Sequence, residues 1–199
     1  MMAVTPATIV IPDISGYTSF ISQMEIEHGA YIIGQLIENI ITQADMFIVS
    51  EVEGDAVLLY AKGLILSKKT LLKQCLKMFH EFHVRRKTLY HATKCNCNAC
   101  KGIDKLTLKF IVHYGDIYEL QISNFLKPSG IEVVLAHRLL KNTIDSHEYI
   151  LMTQGFLAQT TDGKESYDLV WVEHSQEIDN IGNVAYQFTL LNSKQAENA

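Results

Sequence analysis

The stretch Thr8–Ser22, TIVIPDISGYTSFIS, constrains the chain more than any other. β-Branched and apolar residues from Thr8 to Ile11 read as a strand, and Pro12 suggests an edge position or an irregular last residue. The strand ends on one acid, Asp13, and turns at once through Gly16 into a helix start. A lone carboxylate at the end of an apolar strand needs a partner. A second acid, Asp55, stands at the tip of EVEGDAVLLY, where Gly54 between two alternating runs signals a hairpin. If that hairpin pairs beside the first strand, the two carboxylates converge, and they repel unless a cation bridges them. Hard oxygen ligands select Mg²⁺ or Mn²⁺, which also carry nucleotide phosphates. The turn at Gly16, Tyr17 and Thr18 would offer backbone N–H groups to a phosphate tail. A plainer reading competes: Asp13 as a helix N-cap and Asp55 as a turn residue are both common, and spacing alone favours it.

Periodicity organises the rest. Ile32, Ile33, Leu36, Ile37, Ile40, Ile41 and Ala44 fall at helical spacing within 30–47. Leu71, Leu72, Cys75, Leu76, Phe79 and Phe82 mark a long amphipathic helix, whose SKKTLLK and VRRK charges read as a solvated face. On it His80 and His83 read as surface or partly packed residues. ATKCNCNACKGID is a polar, non-periodic insertion. LTLKFIVHYGDI reads as a strand, VVLAHRLLKNTI as a helix, and EYILMT, YDLVWVE and VAYQFTLL as three more strands, with Trp171 in the core. The order β-α-α-β-β-α-β-α-β-β-β predicts an α+β sandwich, helices packed on a mixed sheet.

A chain of 199 residues, 48% hydrophobic, suits one domain over 1–192, with the Cys-rich insertion at about 91–104 and a polar tail at 193–199. The net charge of −5 disfavours nucleic acid as a partner. No basic n-region suggests a signal peptide, and no apolar run nears the ~20 residues of a membrane span. Cys95, Cys97 and Cys100 crowd within six residues, too local for a secreted disulfide framework, so a reducing, cytoplasmic setting is the simplest reading.

Four motifs in order resemble the class III nucleotidyl cyclase catalytic domain. DISGYT matches the family's first strand end, GDA its hairpin turn, FIVHYG its I-x-H-x-G strand with His113 and Gly115, and GIEVVLAHRLL its later helix. The resemblance implies a ferredoxin-like cyclase-homology sandwich. It implies Asp13, Asp55 and the Ile14 carbonyl as ligands of Mg or Mn, and Arg138 as the transition-state residue. It implies a nucleoside triphosphate as ligand and a homodimer, because the family's sites form between two domains. The base-reading position falls on Glu51, the guanine-selecting choice, and its partner position on Lys127, which fits neither type. Two departures stand out. The family's helix Asn is Val134 here, and its late Lys is missing from DNIGNV, where Asn180 and Asn183 stand instead. Losing such groups typically costs ~2.7–4 kcal/mol each in catalysis. Asn142, four residues after Arg138, would share its helix face one turn along and could not replace the missing Asn.

His91, Cys95, Cys97 and Cys100 place four soft or borderline ligands within ten residues, the number tetrahedral Zn²⁺ needs. A plain reduced loop and an oxidation-sensing thiol pair beside Lys94 and Lys101 are the alternatives. The insertion resembles a little-characterised bacterial branch of the cyclase-like fold. Together these features lead to the expectation of a divergent cyclase homologue that binds a triphosphate with weak or absent turnover. The alternative is a non-catalytic nucleotide-sensing or dimerising regulatory domain with a Zn-binding or redox-active Cys loop.

Overall fold

The computed structural model describes residues 3–22, 25–63, 65–160 and 169–192. The chain runs β1 (Val4–Ser15), α1 (Tyr17–Ser22), α2 (Ile26–Thr42), β2 (Ile48–Glu53), β3 (Ala56–Lys62), α3 (Lys68–Ala92) and α4 (Asn98–Gly102). A 3₁₀ turn (Ile103–Lys105) leads into β4 (Thr107–Ile122), β5 (Phe125–Ser129), α5 (Ile131–Arg138), β6 (Tyr149–Thr153), α6 (Gln154–Leu157), β7 (Val172–Ile178) and β8 (Gly182–Leu190). The strands form one mixed sheet ordered β2-β3-β1-β4-β6-β8-β7, with β5 paired to β4 and, among the described residues, only β4–β6 parallel. The expected α+β fold is the observed one.

β1 is buried from Ala7 onward and lies inside the sheet, between β3 and β4. Pro12 is therefore not at an edge. It stands where the β1–β3 pairing lapses after Val10↔Leu59 and resumes at Asp13↔Ala56, so its missing N–H interrupts a ladder already open there. Alternation divides β1 between two cores. Val10 and Ile14 pack with α2 and α3, whereas Ile9 and Ile11, on the face of Asp13, pack with Val133, Ala136 and Leu139 around α5.

The helical stripes bury as their spacing predicts: Ile32, Ile33, Leu36 and Ile40 on α2, and Leu71, Leu72, Cys75, Leu76, Phe79 and Phe82 on α3. Ser67 caps α3 by accepting the Thr70 N–H at 3.1 Å. The basic face of α3 is only partly solvated. Arg86 donates to the Asp104 and Leu106 carbonyls at 2.9 and 2.6 Å, and Lys68 lies 4.1 Å over the half-buried Trp171 ring. His83 is buried against Phe79 and Phe82, with Nε2 3.0 Å from Glu148 Oε1. The insertion also departs from expectation. It forms α4 and the 3₁₀ turn and buries Ala99, Cys100, Ile103 and Leu106, too few apolar residues to declare a period. β5 carries no apolar alternation and was not expected. The strand expected at YDLVWVE is displaced to VEHSQEI; Tyr167 and Asp168, like the tail 193–199, lie outside the described residues.

Candidate functional site

Asp13 and Asp55 stand at adjacent strand ends. Asp13 is in register with Ala56, and the Ile14 N–H donates to the Asp55 carbonyl at 3.0 Å. Burial first, and then the charge of Asp13, holds the Asp55 carboxyl above its ordinary range. Asp13 is a strand residue, and Gly16 is the residue that caps α1, so the N-cap reading fails. Its partner is Lys109, directly opposite on β4, with Nζ 3.0 Å from Asp13 Oδ2 and 3.2 Å from the Leu140 carbonyl. Sequence reasoning missed Lys109, although a Lys on the apolar alternation of LTLKFIV was the available signal. One ammonium cannot neutralise two carboxylates. Two hard oxygen donors with residual negative charge still fit a divalent cation.

The turn after β1 is built on Gly16, whose φ of 88° suits glycine and whose Cβ would lie 3.1 Å from the Lys105 carbonyl. The Phe20 N–H donates to the Gly16 carbonyl at 3.0 Å. Helix α1 has six residues, so it offers a turn of N–H groups rather than a macrodipole. Tyr17 packs over the hairpin tip: a Cβ on Gly54 would stand 3.5 Å from its ring. Burial, then the nearby Asp55 charge, pushes its phenol up. Thr18 is exposed beside it.

A groove of about 810 Å³ runs between the β2 edge, β5 and α5. Glu51, Lys127, Val134 and Arg138 line it together, joined by Glu53, His137 and Lys141. Lys127 donates to Glu51 at 2.7 Å, and this bond holds the Lys127 ammonium above its ordinary range. Both ends are partly exposed, so the pair is weak and open to exchange. Arg138 donates from Nη1 to the Asp179 carbonyl, in the β7–β8 turn where the late Lys is missing. Val134 is 44% exposed toward solvent. Asn142 is not on the helix, which ends at Arg138. It closes the following turn instead, donating to the Leu139 carbonyl at 2.7 Å and the Tyr149 hydroxyl at 2.6 Å and accepting from the Ile144 N–H at 3.0 Å. Glu53, His137 and Lys141 were missed because single charged residues on exposed elements carry no pattern.

His113 is buried under the groove wall. Its Nε2 lies 2.6 Å from Glu132 Oε2 and its Nδ1 2.7 Å from Thr153 Oγ1, which ties α5 to β4 and β6. The bond to His113 holds the Glu132 carboxyl below its usual range. Gly115 makes this possible, because a Cβ there would sit 2.4 Å from Glu132 Cγ.

The cysteines converge with a different histidine from the one expected. His91 is exposed and touches Tyr90, whereas His28, in the first turns of α2, brings its ring to Cys95, Cys97 and Cys100. The four ligand atoms lie within 4.8 Å of one another. His28 was missed because it is 69 residues from Cys97 and only tertiary folding joins them.

A family model described as "Protein of unknown function (DUF2652)" matches residues 33–149. An uncharacterized protein of Mycobacterium tuberculosis is 31% identical over 124 residues, which are 60% of this chain and 56% of that protein. The match thus spans a little over half the length of that curated relative. The adenylyl cyclase CyaB from P. aeruginosa superposes with a TM-score of 0.74 at 14% identity, covering 97% of both chains. The guanylate cyclase domain of RhGC from Catenaria anguillulae, solved in complex with GTP, gives 0.64 at 12% identity, covering 96% of this chain and 99% of that one. At such identities the likeness establishes the fold.

Proposed function

The chain belongs to the DUF2652 family, and from that premise we propose that it is a divergent cyclase homologue that binds a nucleoside triphosphate with a divalent cation, with weak or absent cyclisation. One observation carries this reading. Glu51, Lys127, Val134 and Arg138, distant in sequence and singled out by the cyclase resemblance, line one groove. Its volume of about 810 Å³ suits a ligand of nucleotide size.

Asp13, Asp55 and the Ile14 carbonyl would hold Mg²⁺ or Mn²⁺, which when bound shields the triphosphate and polarises its phosphoryl oxygens. Lys109 fixes Asp13 in place and adds a positive charge at that strand end. The turn at Gly16, Tyr17 and Thr18 supplies backbone N–H donors beside the acids. The acids do not line the groove, so a second copy of the chain would complete the site by bringing its strand ends to this groove. In the groove the Lys127–Glu51 pair offers one donor and one acceptor side by side. A guanine edge complements it, with O6 accepting from Lys127 and the N1–H and N2–H groups donating to Glu51. Arg138 and Lys141 give the phosphates positive charge. Val134 has no donor for the ribose, so the 3′-hydroxyl is left unoriented, and misplacement of ~1 Å can cost about 10²-fold in rate.

Incubating the full chain with each of the four nucleoside triphosphates and Mn²⁺ tests the reading, with binding measured directly and products separated by chromatography. GTP should bind most tightly, with little or no cyclic product. Absence of any triphosphate binding would remove the proposal, and robust turnover would show that this family uses other residues for catalysis.

A further inference from the structure

We propose that His28, Cys95, Cys97 and Cys100 form a tetrahedral Zn²⁺ site that clamps the insertion onto the start of α2. This site is separate from the groove and the paired acids. Its existence does not depend on whether they take a nucleotide.

The geometry approaches that of a closed structural site. His28 Nδ1 lies 3.3 Å from Cys97 Sγ and 3.7 Å from Cys100 Sγ. A zinc ion at about 2.3 Å from sulfur and 2.0–2.1 Å from nitrogen would set tetrahedron edges of about 3.5–3.8 Å. The donor set is three sulfurs and one imidazole with no carboxylate, which suits zinc and not Mg²⁺. The surrounding groups point hydrogens at the sulfurs. The Cys97 N–H donates to Cys95 Sγ and the Cys100 N–H to Cys97 Sγ, each at 3.4 Å, and Thr93 Oγ1 donates to Cys100 Sγ at 3.8 Å. Such donors offset thiolate charge, as groups around bound metals do. Glu25 accepts the Ala99 N–H at 3.3 Å, holding α4 against the same end of α2.

The insertion has reason to need the clamp. Lys94, Cys95, Asn96 and Asn98 are exposed, so this stretch buries little that would fix its path. Beyond it, the segment packs on the turn that follows Asp13. A Cβ on Gly102 would lie 3.2 Å from the Phe20 ring, and the Lys105 carbonyl abuts Gly16. Zinc at the cysteines therefore fixes the wall behind the Gly16–Phe20 turn.

Metal analysis of the full chain, purified without added chelator, should find about one equivalent of zinc. His28→Ala and Cys97→Ser should lose it, while His91→Ala keeps it. His28→Cys should retain the metal as a four-thiolate site, which covers the case in which His28→Ala fails to fold. Cobalt exchanged into the wild-type chain should give the d–d bands of a tetrahedral ion with thiolate charge transfer. The proposal is overturned if the reduced chain takes up neither zinc nor cobalt. It is equally overturned if His91→Ala loses the metal while His28→Cys cannot bind it, or if Cys95, Cys97 and Cys100 of the native chain all react freely with a thiol reagent, Cys75 being buried and outside the site.

Discussion

Gly115 is the residue on which the inner wall of the groove depends. Its missing side chain lets Glu132 reach His113, and a methyl group there would stand 2.4 Å from Glu132 Cγ. Gly115→Ala should therefore displace α5 and cost ~1–3 kcal/mol, the usual range for an overpacked site. Urea denaturation would read the loss, and an unchanged midpoint would mean that Glu132 swings away without consequence. The same contact has a pH signature. Hydrogen bonding to His113 holds the folded Glu132 carboxyl below its ordinary value of 4.5, so its contribution is present above that value and is lost as pH falls through the depressed one. The stability gap between the wild type and Glu132→Gln should be widest near neutrality and shrink in acid below about pH 4.5. A gap that widened on acidification would contradict the assignment. At this scale the sequence located single residues where a motif held them: Asp13 near the end of β1, Asp55 in the β2–β3 turn and Arg138 at the end of α5. It failed where the partner lay on another strand or helix: Lys109 for Asp13, Glu132 for His113, His28 for the cysteines.

Elements with a long apolar stripe were legible, because burying one face of α2 and α3 requires a period that composition cannot hide. Short ones were not. α4 has five residues and β5 carries Lys127 and Pro128 in an exposed run, so neither declares itself. VVLAHRLLKNTI predicts a longer helix than α5, which ends at Arg138, so Asn142 has no helix face to share with it. The insertion is anchored at its far end by Arg86, through two carbonyls that no sequence pattern marks. Arg86→Ala leaves both carbonyls without that donor and should lower stability by ~1–3 kcal/mol, with faster amide exchange confined to α4 and the 3₁₀ turn. Uniform exchange across the chain would deny the insertion a separate anchor. On α5, Val134 is exposed in the groove, so Val134→Asn can be made without disturbing the core. It should raise any residual cyclase turnover, and a fall in turnover would mean that position 134 does not take the role carried over to it.

Across the whole molecule, the mixed sheet brings four groove positions together from β2, β5 and α5, and sets the two acids at the neighbouring ends of β1 and the β2–β3 turn. The fold could be read from motif order because each motif sits within a strand, at a strand end or on a helix that the sheet fixes. Which residues meet across the groove could not, since the β2–β5 contact depends on an unrecognised strand. The central claim is that cation and triphosphate bind through the paired acids. Asp55 tests it more cleanly than Asp13, because Asp13 also holds the buried Lys109 ion pair. Calorimetric titration of Mn²⁺ and GTP into the full chain should give binding in the wild type and none in Asp55→Asn, with the fold of both unchanged by circular dichroism. Equal binding by the two chains would contradict the account.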